Sequence, residues 1–464
     1  MLINEILALP DFDKAIAQLT TDTDTDKIEA RCKAYDGEHA ILTDPNRAKK
    51  TVGDTPETQR VISPTKEVLT YQKRIVKSAV TFLFGSPVTL SIPEGDSPAF
   101  QLLKDSWKRN KCDAFSKELA RNLFVECKVA ELWSVVKPKT GPGRLRVSLL
   151  SKKKGYSIYP HFDELGDMDA FTYLITVKNA DGKDVKQYRI YTAALIVTAE
   201  KVSGKWDIAI VPNLLEKIPV VYYEQDEAEW EDVSTQIERS EYLLSDFGDT
   251  NSYNGAPIML VKGHVDNLPR KEETGKVARV TGDENPVTGE TTYNGGLEYV
   301  TWEQAPESIT AEYGMLKDAI YSMTQTPDLS FSNVKGMSSI SGIALRLMFS
   351  DAMFKAMDKQ EIFAPGLDRR IAIMKAGLAL LNLSQAAALD ALDVDVKFND
   401  VLPVEIDKLI TALSTARGGE PIMSRDAAVR ANPLVADAEK DAAMLAEEAA
   451  ARPAMPTYAE SFTI

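Results

Sequence analysis

TPDLSFSNVKGMSSISGIALRLMFSDAMFKAMDKQEIFAPGLDRRIAIMKAGLALLNL, residues 326–383, opens as a loop and closes as a rod. Pro327 and Asp328 stop whatever precedes them, and Gly336, Ser338, Ser339, Ser341 and Gly342 keep the next stretch polar and turn-prone. Residues 343–357 then carry apolar side chains around nearly the whole circumference of a helix, among them Leu347, Met348, Phe349, Phe354 and Met357. Such a helix needs partners on several faces, from a large core of its own chain or from identical neighbours closed around an axis. Pro365 and Gly366 interrupt the pattern and are expected to kink the helix or split it before residues 367–381 resume it.

The ordered set Pro327-Asp328, the Gly/Ser loop 333–339, the step Ser341-Gly342-Ile343-Ala344-Leu345 and a long helix broken near Pro365 resembles the signature region of tailed-bacteriophage portal (head-tail connector) proteins. A second stretch carries the same resemblance. A helical pattern over 66–84, with Val68, Tyr71, Ile75, Ala79 and Phe82 three and four apart, runs into Gly85-Ser86-Pro87-Val88 and a short strand. That step opens the wing domain in portals of this type.

Elsewhere the pattern reads as α+β. A helix around 100–127 precedes strand-type segments at 129–136, 145–150, 156–160, 170–177, 187–192, 195–199 and 205–210, with turns such as Asn179-Ala180-Asp181-Gly182 between them, as a meander requires. Residues 219–223 are a buried-strand run that closes the β region, and the acidic stretch 226–231 suits a helix N-terminus. Apolar residues stepping by threes and fours from Val233 to Phe247, and again from Ile309 to Met323, predict two helices forming an antiparallel pair around an insertion, 255–306. At the N-terminus an amphipathic helix around 3–19 leads to Thr21-Asp22-Thr23-Asp24-Thr25-Asp26. Lys27 and Lys33 stand where a calcium loop needs Gly and Glu, so this is a helix-start loop. Residues 49–64 look like an arm crossing a surface. A short strand at 394–398, helices from 405 and 424 and a frayed terminus follow.

Composition narrows the function. The formal net charge of -15 disfavours a tight nucleic-acid binder, yet a conduit that DNA must pass without sticking is served by acidic walls. Three widely spaced cysteines, Cys32, Cys112 and Cys127, make neither a disulfide framework nor a zinc site. The first fourteen residues carry three acids, Glu5, Asp11 and Asp13, and no basic n-region, and no apolar run is long enough to span a membrane. There is no phosphate-binding GxxxxGK[ST] loop, no nucleophile elbow, and His39, His161 and His264 are not spaced as metal ligands. Neither a cofactor nor a metal is expected, and the chain is read as no enzyme. A nuclease built from Asp328 with Asp395-Val396-Lys397 would need strands adjacent in one sheet, which this order of elements does not provide.

The resemblance implies a portal fold assembled as a ring, typically of twelve subunits. It divides the chain into an arm (1–65), a wing (66–225), a first stem helix (226–254), a clip (255–306) and a second stem helix (307–326). A tunnel loop (327–342), a long kinked helix completing the wing (343–392) and a helical crown with its tail (393–464) follow. It further implies a channel for double-stranded DNA during packaging and ejection. The loop would present Asn333, Lys335, Gly336, Ser338 and Ser339 to that DNA, with Lys335 the one charge able to meet a phosphate. Arg270, Lys271, Lys276 and Arg279 would form a docking face at the clip. Implied partners are the terminase or packaging ATPase, the major capsid and scaffolding proteins and head-tail adaptors, with no membrane. The implied location is a unique capsid vertex of the virion, reached from host cytoplasm. An adaptor or minor capsid protein is the alternative reading, and a metal-dependent nuclease a remoter one.

Overall fold

A computed structural model describes residues 11–21, 24–52, 59–93, 97–137, 141–178, 182–202, 204–254, 258–262, 264–266, 279–281, 283–284, 286–289, 291–292, 296–300, 306–328, 346–401, 444–445 and 447. The chain divides into two units, Met1–Val401 and Leu402–Ile464. Of the second only 444–445 and 447 are described, and they are helical. The helices expected from 405 onward otherwise lie outside the described residues.

In chain order the first unit contains α1 (Phe12–Leu19), α2 (Thr25–Asp36), α3 (Ala40–Thr43), β1 (Lys50–Val52), β2 (Arg60–Ile62), α4 (Tyr71–Phe84), β3 (Thr89–Ser91), α5 (Pro98–Arg109) and α6 (Cys112–Glu126). Then come β4 (Lys128–Val136), β5 (Arg144–Leu150), β6 (Tyr156–Phe162), β7 (Met168–Lys178), β8 (Asp184–Thr192), β9 (Leu195–Val202), β10 (Lys205–Pro212) and β11 (Val220–Glu224). Helix α7 (Ser234–Asn254) is followed by β12 (Ile258–Lys262), β13 (His264–Asp266), β14 (Arg279–Thr281), β15 (Asp283–Glu284), β16 (Thr291–Thr292) and β17 (Gly296–Val300). Helices α8 (Pro306–Met323), α9 (Ser350–Leu381) and α10 (Ala386–Asp390) and strand β18 (Asp395–Lys397) complete it.

Five of the seven segments read as one meander form an antiparallel sheet in the order β10-β9-β8-β7-β6, whereas the first two, β4 and β5, belong to a separate sheet. One face takes α1, whose Ala15, Ile16 and Leu19 bury against Ala170, Ile190 and Val197. A second cluster joins Phe171, Tyr173 and Tyr191 of the meander to Ala130, Leu132, Leu150 and Val220 of a separate sheet ordered β11-β4-β5. The apolar run at 219–223 thus closes the β region by pairing with β4, Val220 opposite Leu132, and not by extending the meander. The main core lies between that second sheet and α4, α5, α6 and α9.

Two helix expectations are corrected. Continuous over 100–127 in the sequence pattern, the helix is in fact two, α5 and α6, broken where Lys111 takes a left-handed φ of 52°. Asn110 fixes the break: its Nδ2 donates to Ser106 O at 2.9 Å and Leu145 O at 3.2 Å, and its Oδ1 accepts from Val147 N at 3.3 Å. The side-chain amide fills the free edge of β5 as a strand would. A helix start at 66 is also wrong, because residues 63–70 form no regular element and the helix begins at Tyr71. The amides of Thr65, Glu67 and Leu69 donate to Asp249 Oδ1, Ser245 Oγ and Glu241 Oε1 of α7, at 2.7, 2.9 and 2.8 Å. Two residues of strand advance about 6.6 Å and four of helix about 6 Å, so alternate amides meet successive turns. Gly248 lets the segment come this close, for a Cβ there would lie 2.9 Å from Thr65 Cγ2.

The arm expected at 49–64 includes a β1–β2 hairpin, with Lys50 opposite Ile62. Asp24, on the expected helix-start loop, is the N-cap residue of α2 and pairs with Lys128 Nζ at 2.5 Å.

Candidate functional site

Helix α9 runs unbroken through Pro365, so the chain is not split there. Its two halves have different surroundings. From Phe363 onward it is the spine of the core: Phe363 is enclosed by Phe84, Tyr223 and Phe124, with ring centroids at 5.1, 5.3 and 6.2 Å. Gly366 is packed directly on β11. A Cβ built there would sit 2.1 Å from Tyr223 Cε1, so the residue read as a helix breaker provides close helix-to-strand approach.

One turn later Arg370 points into the same region with no solvent exposure, as does Glu131 of β4. Arg370 Nε lies 3.0 and 2.9 Å from the two Glu131 oxygens, Nη2 is 2.8 Å from Oε2, and Nη1 donates to Ser116 Oγ at 2.8 Å. Trp107 and Phe115 flank the guanidinium at 5.4 and 5.6 Å. A buried pair of this kind adds little net stability over apolar residues of equal volume, but losing one partner strands a charge and costs about 3–5 kcal/mol. It therefore fixes the register of α9 against β4 and α6.

Before Pro365 the helix is held by a different device. Glu229, almost fully buried, receives Lys355 Nζ on Oε2 and Lys359 Nζ on Oε1, each at 2.6 Å. Lys355 also donates to Thr324 O at 3.0 Å and Lys359 to Gln225 Oε1 at 3.2 Å. Burial pushes the Glu229 carboxyl up, but the two ammonium groups outweigh it and hold the group below the usual carboxylate range. Lys355 and Lys359, one turn apart, thus tie α9 both to the loop after β11 and to the end of α8. The acidic stretch 226–231 serves this clamp, and α7 starts beyond it at Ser234.

Large apolar side chains are left exposed in and around this half: Leu347 and Met348 just ahead of α9 and Phe354 and Met357 on it are 71, 50, 57 and 60% exposed, and Met323 at the end of α8 is 52% exposed. Phe349, Ala352 and Ala356 are buried, Phe349 against Phe82, and Ile362 and Phe363 join the main core.

Helices α7 and α8 run antiparallel, Gln236 near the start of one touching Met323 at the end of the other and Arg239 Nη2 pairing with Glu312 at 2.7 Å. Their far ends lead into β12 and β17, paired antiparallel with Ile258 opposite Val300, and β13–β14 and β15–β16 form two further pairs. Arg279 opens β14 opposite Asp266. Arg270, Lys271 and Lys276, and the loop residues Asn333, Lys335, Gly336, Ser338 and Ser339, lie outside the described residues. Pro365 and Gly366 are the predicted site residues whose surroundings are fully visible.

The residues considered for chemistry have structural partners. Asp328 pairs with Lys317 at 2.6 Å and Arg74 at 3.5 Å, while Asp395–Lys397 pairs with β3. His39 binds Glu241, which holds its imidazole above the usual range, and His161 binds Asp169. Burial raises the Cys112 and Cys127 thiols to about 12 and Cys32 to about 11. Among the described residues no group of His, Cys, Asp and Glu is placed to hold a metal ion, and no helix is long and apolar enough to cross a membrane.

Sequence reasoning missed Glu131–Arg370 and Glu229 with its lysines. The signal was present in part: an acid inside the apolar strand KVAELWSVV and an arginine at a core-facing position of α9 are opposite charges that burial forces together.

The family model described as "Phage portal protein, SPP1 Gp6-like" matches residues 20–453. No curated protein matches. Among solved structures, one titled as the neck of an empty GTA particle computed with C6 symmetry is 12% identical over 76% of this chain and 87% of that chain, with a TM-score of 0.36. The virion of a native gene transfer agent particle gives 12% identity over 76% and 86%, TM-score 0.33. The neck of the native GTA particle computed with C12 symmetry gives 13% over 76% and 86%, TM-score 0.33.

Proposed function

Because this chain belongs to the SPP1 Gp6-like phage portal protein family, we propose that it is the structural connector of a virion: a homo-oligomeric ring at one capsid vertex, twelve-membered as the resemblance implies. Double-stranded DNA would enter and leave through it. The observation that carries the ring is the set of large apolar side chains left exposed in the stretch before Pro365, Leu347 and Met348 just ahead of α9 and Phe354 and Met357 on it. Large side chains left exposed like this are an interface in waiting, and the same surface on a neighbouring copy is the simplest cover.

In this reading α7 and α8 are the stem, and the strand pairs between them are the clip, with Arg270, Lys271, Lys276 and Arg279 as its docking face for the packaging ATPase and later the adaptors. Residues 327–342 form the tunnel loop, where Lys335 with Asn333, Gly336, Ser338 and Ser339 gives DNA a transient grip. Pro365 and Gly366 mark the kink through which loop and core communicate. The ring performs no catalysis and holds no cofactor; ATP-driven work belongs to the motor it docks, and capsid and scaffolding proteins surround it.

Negative-stain microscopy with mass photometry of the purified full chain tests this. Uniform rings with a central hole are expected. A monodisperse monomer at micromolar concentration sinks the proposal.

A further inference from the structure

The break between α5 and α6 rests on the free edge of β5, and the two together enclose a cleft of about 270 Å³ whose charged lining is Arg109, Lys111, Arg144 and Arg146. Four cations and no carboxylate line it, in a chain whose formal net charge is -15. All four side chains are exposed, and among the described residues none of them is ion-paired to an acid. Their placement is built. Arg144 and Arg146 alternate with the buried Leu145, so both project from one face of β5, about 7 Å apart. Asn110, bonded to Leu145 O and Val147 N, holds Arg109 and Lys111 over that face, and Lys111 keeps a left-handed backbone at φ 52° that Gly or Asn would adopt at lower cost.

We infer that this cleft binds the phosphodiester backbone of nucleic acid, independently of sequence. Three of the four cations are guanidinium groups, whose planar forks engage phosphate oxygens bidentately. A polypeptide partner would need an apolar anchor at the centre of its footprint, and the cleft offers none: Leu145 is spent in the core and Val147 is half covered. There is no aromatic platform for unstacked bases either, so the contact is to backbone phosphates and carries no base readout. Asn110 already occupies the strand edge, which closes the route of adding a strand to β5. The site goes beyond the channel reading, since its four cations are separate from Lys335 and act in a single copy.

Fluorescence anisotropy of the full chain with a short labelled duplex tests it. Four phosphate contacts give a slope of log K against log salt near about -3.6, so affinity should fall roughly a hundredfold between about 50 and 200 mM salt. Arg144→Gln with Arg146→Gln should reduce the slope to about half and weaken binding at low salt, whereas Arg144→Lys with Arg146→Lys should keep the slope. Both pairs are exposed, and their melting temperatures verify folding. Lys335→Gln should leave this binding in place. An unchanged slope in the double glutamine variant overturns the inference, as does displacement of the duplex by a polyglutamate peptide at equal charge concentration, which would assign the cleft to acidic polypeptide. Rings or their absence under the microscope decide the connector reading and leave this result untouched.

Discussion

Glu126 ends α6 with no solvent exposure and accepts the amides of Lys152 and Lys153 at 2.7 and 3.2 Å. Burial dominates those donors and raises the carboxyl from its ordinary 4.5 to about 7. A carboxyl raised on folding contributes stability that is complete below its unfolded value and is lost as pH climbs through its folded value. The loss therefore falls between about pH 4.5 and 7 and amounts to the order of 3 kcal/mol. Glu126→Gln, whose amide carries no charge but serves one backbone N–H poorly, should be penalised at every pH equally. Denaturant titrations should thus show the variant gaining on the wild type by about that amount from pH 5 to 8, and a pH-independent difference would contradict the assignment. At this scale the sequence was legible where chemistry is local, as in the helix start that follows Asp24, the residue at the N-cap position of α2. It was not where a residue's role depends on what faces it: Gly366 reads as a breaker until Tyr223 stands against it.

Elements followed their periodicity closely. The meander strands, the α7–α8 pair and the short strand at 395–397 all stand where alternation or helical spacing predicts them, because half-buried strands and amphipathic helices write their exposure into the chain. The failures at Asn110 and at 65–69 are long-range hydrogen bonds, to β5 and to α7, that override a helical pattern. Helix α9 divides at the element scale into a core spine and an outward half tied down by Lys355 and Lys359. Phe354→Asp with Met357→Asp should therefore leave the folded subunit intact, since both side chains are already in water, while abolishing rings. Circular dichroism and mass photometry on one sample separate these effects; rings persisting in the variant would move the interface elsewhere.

For the whole molecule, charge and packing act in opposite directions. Each subunit carries a formal charge of -15, so the proposed ring gathers like charges around one axis while its contacts are apolar. Raising salt from about 0.01 to 0.15 M shortens the Debye length from about 30 to 8 Å and should shift subunits toward rings in sedimentation velocity; rings that dissociate instead would reveal an interface dominated by opposite-charge pairs. The sequence by itself determined the α+β class and the order of strand-rich region, paired helices with their insertion, and long apolar helix, because all of these rest on periodicity and turn chemistry within a few residues. Only the tertiary structure decided that β11 joins β4, that Glu131 and Arg370 meet in the core, and that four cations from a helix break and a strand edge line one cleft. Those juxtapositions bring together residues tens to hundreds of positions apart, and no local propensity encodes which distant partner will neutralise, cover or face a given side chain.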